Sequence, residues 1–79
     1  MHPIISKRTA VELITSSKGK FMTIKNKKRD GSDRSYPSSK YIQPVYGNLN
    51  VLTREGTYRN IRPETIYFLK TNGMSYEVA

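Results

Sequence analysis

Two periodicities divide this chain. Between residues 9 and 17 the apolar side chains Ala10, Val11, Leu13 and Ile14 recur at helical spacing, with Glu12 and Thr15 turned away. Thr9 stands where an N-cap belongs, and Glu12, three residues later, completes a capping box. The spacing predicts a brief helix that ends near Ser16-Ser17 and covers one open end of the structure that follows. From Lys20 the period becomes two. Met22 and Ile24 face one way, and Phe21, Thr23, Lys25 and Lys27 face the other.

Turn residues then punctuate a run of short strands. Asp30-Gly31 suits a tight turn with positive φ angles, so the first hairpin spans 20–36, with its return strand at about 33–36. Residues 37–48 hold two prolines, two serines and a glycine, which predicts a loop or broken edge strand anchored by Ile42 and Val45. Further strands are expected at 50–54, 57–62, 66–70 and 75–78. Pro63-Glu64-Thr65 fits a single helical turn, because proline is well placed at its start. Asn72-Gly73 is the strongest two-residue hairpin signal in the chain. Five or six short strands so closely spaced predict a mainly β fold, a small barrel whose closure removes exposed edges. Residues 1–7 read as a flexible arm, and 8–79 as one small β-barrel domain.

Composition narrows what such a domain does. Seventy-nine residues, 35% of them apolar and none of them Trp, leave little interior for an enclosed active site with a substrate pocket. Fourteen Lys and Arg against six Asp and Glu give a formal charge of +8, a field that gathers polyanions. The absence of cysteine excludes disulfides and thiolate metal sites and accords with a reducing cytoplasm. Pro3-Ile4-Ile5 is too short an apolar run for a signal peptide, and no stretch approaches the ~20 apolar residues of a membrane span. A cytoplasmic location is expected, with no membrane partner.

The motifs Gly19-Lys20-Phe21, Lys27 through Gly31, Tyr58 through Ile61, and Asn72-Gly73 with Tyr76 and Val78 resemble those of small phage-encoded proteins with an SH3-like barrel. The likeness covers roughly residues 18–78 apart from the middle loop. Residues 59–66 are also similar to the closing motif of WYL domains, which have SH3-like or Sm-like barrels and commonly bind nucleic acids or nucleotide-type ligands. Arg59 and Arg62 match the arginines of that motif. The Trp-Tyr-Leu signature is missing, and Pro63 stands where an aliphatic residue is usual. The resemblance implies a phage-type SH3-like/Sm-like barrel acting in a host cytoplasm.

Candidate chemistry lies in cations and tyrosines. Lys25, Lys27, Lys28 and Arg29, with Arg34 returning beside them, form the densest charge cluster. Lysines on alternate strand positions sit about 6.5–7 Å apart, a spacing that can follow the phosphates of one strand. The competing reading is a solvated hairpin tip whose charges deter edge pairing. Tyr36, Tyr41 and Tyr58, interleaved with Arg34, Lys40 and Arg59, offer rings on which bases stack. Tyr67 and Tyr76 fit the core or a second face better, and Phe21 and Phe68 fit the core. His2 has no companion ligand, and the serine pairs at 16–17 and 38–39 have no base beside them. Lys18-Gly19-Lys20 lacks the flanking residues of a phosphate loop.

These readings predict a non-enzymatic nucleic-acid-binding barrel without metal or cofactor. Lys25, Lys27, Lys28, Arg29, Arg34, Lys40, Arg59 and Arg62 would hold the backbone, and Tyr36, Tyr41 and Tyr58 would serve as stacking platforms. The rival expectation is a phage effector that docks on an acidic host protein and blocks or redirects it. A third, an assembly component, would form a discrete homo-oligomer.

Overall fold

The computed structural model describes residues 2–17 and 19–79; Met1 of the expected arm and Lys18 lie outside the described residues. Among the described residues, seven strands, one α-helix and one 3-10 turn follow in the order β1 (Ile4–Ile5), α1 (Lys7–Thr15), β2 (Met22–Lys27), β3 (Asp33–Val45), β4 (Asn48–Leu52), β5 (Tyr58–Ile61), η1 (Pro63–Thr65), β6 (Ile66–Thr71) and β7 (Met74–Val78). The strands lie side by side as β1-β7-β6-β2-β3-β4-β5. All neighbours are antiparallel except β1 and β7, which makes the sheet mixed.

The sheet folds on itself through β3. Residues 33–39 pair with β2, and residues 40–45 pair with β4. The corner falls at Pro37-Ser38, where the β2 register shifts and Ser38 takes a φ of 53°. Neither proline breaks the strand, which runs with bulges through to Val45 in place of the loop or broken edge strand expected over 37–48. Pro37 sits in the bulge, and Pro44 lies where the other edge of β3 is uncovered, so neither lost N–H removes a needed ladder bond. Ile42 is the extra residue of a second bulge and is exposed, so it is no anchor, while Val45 is half-buried. The two halves of the sheet face each other across a core of Met22, Ile24, Leu49, Val51, Ile61, Ile66, Leu69 and Val78.

Three further expectations need correction. The sheet is not closed into a barrel: β6 pairs with β2 on one side and β7 on the other, so no free edge of β6 remains to meet β5. The stretch expected as a loose arm is pinned beside β7, where Pro3 O and Ile5 O accept from the N–H groups of Glu77 and Ala79 at 2.9 Å each. The helix also begins earlier than the Thr9 cap implies. Ser6 is the N-cap, its Oγ accepting from Thr9 N at 3.1 Å, and Glu12 makes an exposed ion pair with Arg8 rather than a capping box. Ala10 and Ile14 are buried against β6, β3 and η1, which makes α1 the expected cover over one end of the core.

Candidate nucleic-acid interface

The inner face of the first half-sheet changes chemistry along its length. On β2 the buried Met22 and Ile24 are followed, two residues on, by Asn26; the cross-strand partners of Ile24 and Asn26 on β3 are Tyr36 and Arg34. Alternation therefore carries the core-facing row directly into amide, phenol and guanidinium groups at the hairpin end. Across from it stand η1 and the end of β5. Between the two lies an open groove of about 570 Å³, lined by Lys7, Asn26, Lys27, Lys28, Arg29, Arg34, Tyr36, Asn60, Arg62, Glu64, Thr65 and Tyr67.

Local bonds fix its walls. The Thr65 hydroxyl gives its proton to Arg62 O at 2.7 Å, so its oxygen can only accept from Asn26 Nδ2 at 3.3 Å, which sets the Asn26 amide and joins hairpin to η1. Lys7 reaches from α1 to donate to Ile66 O at 2.8 Å. Arg34 Nη1 donates to Tyr36 Oη at 3.3 Å and so holds the ring. At the tip, Asp30 accepts from the hydroxyl and the N–H of Ser32 at 2.6 and 3.0 Å. Those bonds, the hydroxyl's first, keep its carboxyl below the ordinary 3.8.

The cations are not equivalent. Lys27 Nζ meets Asp33 Oδ1 at 2.6 Å and lies over the Tyr67 ring; the hydrogen bond and the charge of Asp33 raise its ammonium above the ordinary 10.5. Part of its field is thereby spent within the protein. Lys28, Arg29, Arg34 and Arg62 form no ion pair among the described residues, and Glu64 is the one carboxylate lining the groove. Four free cations around one recess suit an anion that carries several charges along its length.

The structure thus brings together Lys27, Lys28, Arg29, Arg34, Tyr36 and Arg62 from the expected set. Arg59 is inward on β5 beside the buried Val51 and lines a neighbouring recess with Arg34 and Tyr36. Four residues lie elsewhere. Lys25 sits on the outer face over Phe68, its ammonium 4.8 Å from the ring centre. Lys40 does the same over Phe21, which is 64% exposed rather than core. Tyr41 packs against the core, as part of the Tyr36 ring also does, but lies away from the groove, and Tyr58, 63% exposed, stands on the outer face of the second half-sheet. Phe68 is half-buried, with the His2 ring against its edge at 5.8 Å.

Lys7, Asn26, Asn60, Thr65 and Tyr67 were not among the sequence candidates. Lys7 and Thr65 reach the groove through long-range packing that leaves no local mark. For Asn26 a signal did exist: it is in phase with Met22 and Ile24, and a polar residue continuing an apolar row marks where the core gives way to a site. Among the described residues no group of three or more His, Asp or Glu is placed to hold a metal ion, and no helix is long and apolar enough to cross a membrane. No protein-family model, curated protein or solved structure matches this chain.

Proposed function

We propose that this domain is a non-enzymatic nucleic-acid-binding module of the SH3-like, phage-type class that its motifs resemble. The central strand order β6-β2-β3-β4-β5, with η1 linking β5 to β6, supports that class; β7 and β1 extend the order. The observation that carries the function is the convergence of Lys28, Arg29, Arg34 and Arg62, three from the hairpin and one from the far wall, on a single groove beside Tyr36. Guanidinium and ammonium groups there displace counterions from a phosphodiester chain, and amides and hydroxyls lie within the same recess.

Binding of a labelled oligonucleotide, followed by anisotropy, is expected to weaken as salt rises. Four phosphate contacts give a log–log slope of about −3 for a single strand. The double variant Lys28→Glu, Arg62→Glu is expected to lower affinity by more than about tenfold. No binding at about 50 mM salt would refute the proposal.

A second reading rests on a different surface. Lys40 pairs with Leu52, and Leu52 with Tyr58, while Phe21 precedes the Met22–Ser39 pair. Phe21, Lys40, Leu52 and Tyr58 therefore form a row across the outer face, aromatic and aliphatic groups around the Lys40 ammonium with Arg54 beside them, that suits docking on an acidic protein. A pull-down from nuclease-treated lysate separates the readings, since one stoichiometric protein retained without nucleic acid favours docking.

A further inference from the structure

The basic groove does not end at Tyr36. Arg34 and Tyr36 also line a second recess of about 310 Å³, whose far side carries Arg59 and Thr57 together with one carboxylate, Glu55. Arg59 is directed there by register. Its cross-strand partner Val51 is fully buried, so Arg59 shares the concave side although it lies at the sheet edge. The sequence of groups along the two recesses is Arg62 and Lys28 at one end, Arg34 with Tyr36 at the joint, and Arg59 beyond.

Shape decides which nucleic acid fits. Both recesses are small open hollows, about 570 and 310 Å³, on the scale of individual nucleotides rather than of a duplex. A duplex keeps its bases stacked inside and offers only groove edges, so it has no free base to seat in a hollow of this size. A single strand does, and it can present a base to Tyr36 while its phosphates meet cations on either side.

Resting on the nucleic-acid reading above, we infer that the two recesses form one continuous track for single-stranded nucleic acid, about four nucleotides long, with Arg34 and Tyr36 at its centre. The track selects against duplex by shape. Arg59 serves only strands long enough to pass Tyr36.

The test uses a thymidine oligomer of about 12 nucleotides, a thymidine dinucleotide, and a duplex of about the oligomer's length, at equal salt. The oligomer is expected to bind at least about tenfold tighter than the duplex. Arg59→Glu is expected to weaken the oligomer about tenfold and leave the dinucleotide within about twofold. Lys70→Glu makes the same charge change at an exposed position outside both recesses, and is expected to leave both within about twofold. Equal or tighter duplex binding, an unchanged oligomer with Arg59→Glu, or an equal loss with Lys70→Glu overturns the track while the broader nucleic-acid reading stands. Absence of binding by all three ligands overturns both.

Discussion

Single side chains in this protein take their character from the strand phase in which they stand. Lys27 and Lys28 are neighbours, yet Lys27 is held over Tyr67 by Asp33 whereas Lys28 lines the groove unpaired. Asp30 shows the same dependence on setting at the hairpin tip. Its carboxylate accepts two bonds from Ser32, and protonation removes the negative charge that strengthens them. A lowered folded value means that its contribution is present above 3.8 and is lost as pH falls through that lowered value. In a carbon-detected titration the Asp30 carboxyl is expected to have its midpoint below 3.8, with the Ser32 amide shift following it. A midpoint at or above the ordinary value would mean that the turn bonds do not persist in solution. The lysine and arginine cluster was legible in the sequence, but the Asp33 pairing that sets Lys27 apart was not. It depends on the cross-strand register, which composition does not encode.

At the scale of elements, what could be read was what is local. Pro63–Thr65 and the Asn72-Gly73 turn match the expectation because proline fixes φ and Asn-Gly tolerates positive φ, whatever surrounds them. The second half of β3 was illegible for the opposite reason. Its prolines predict interruption, and only pairing with β4 and the bulges shows that the strand absorbs them. Its closing turn was hidden too, since Tyr46 occupies a left-handed position with a φ of 51° that tyrosine seldom takes. Tyr46 is wholly exposed, so replacing it forfeits no packing. Tyr46→Asn is therefore expected to stabilise the fold by about 0.5 kcal/mol, read as a higher urea midpoint at an unchanged m-value. A lower midpoint would show that the ring makes contacts in solution.

For the whole molecule, charge and core are arranged in opposition. The apolar residues occupy the middle of the fold, and Lys7, Lys28, Arg29, Arg34 and Arg62 line one groove beside it while Lys20, Lys25, Lys40, Arg54 and Lys70 lie elsewhere, a distribution that net charge alone could not forecast. An uncompensated +8 strains the unliganded fold through self-repulsion, and salt screens it. Raising sodium chloride from about 20 mM to about 0.5 M is expected to lift Tm by roughly 3–8 °C, in line with about 1 kcal/mol for a domain of this size. A flat or falling Tm would mean that the cations are already balanced within the fold.

The corner at Ser38 has a mechanical consequence. One uninterrupted ribbon supplies Arg34 and Tyr36 to the recesses and, a few residues later, Lys40 to the opposite exterior. Both surfaces hang on the same backbone, so the bend at Ser38 sets how they are turned relative to each other. A substitution that moves Ser38 away from its φ of 53° is therefore expected to alter amide exchange on both surfaces at once.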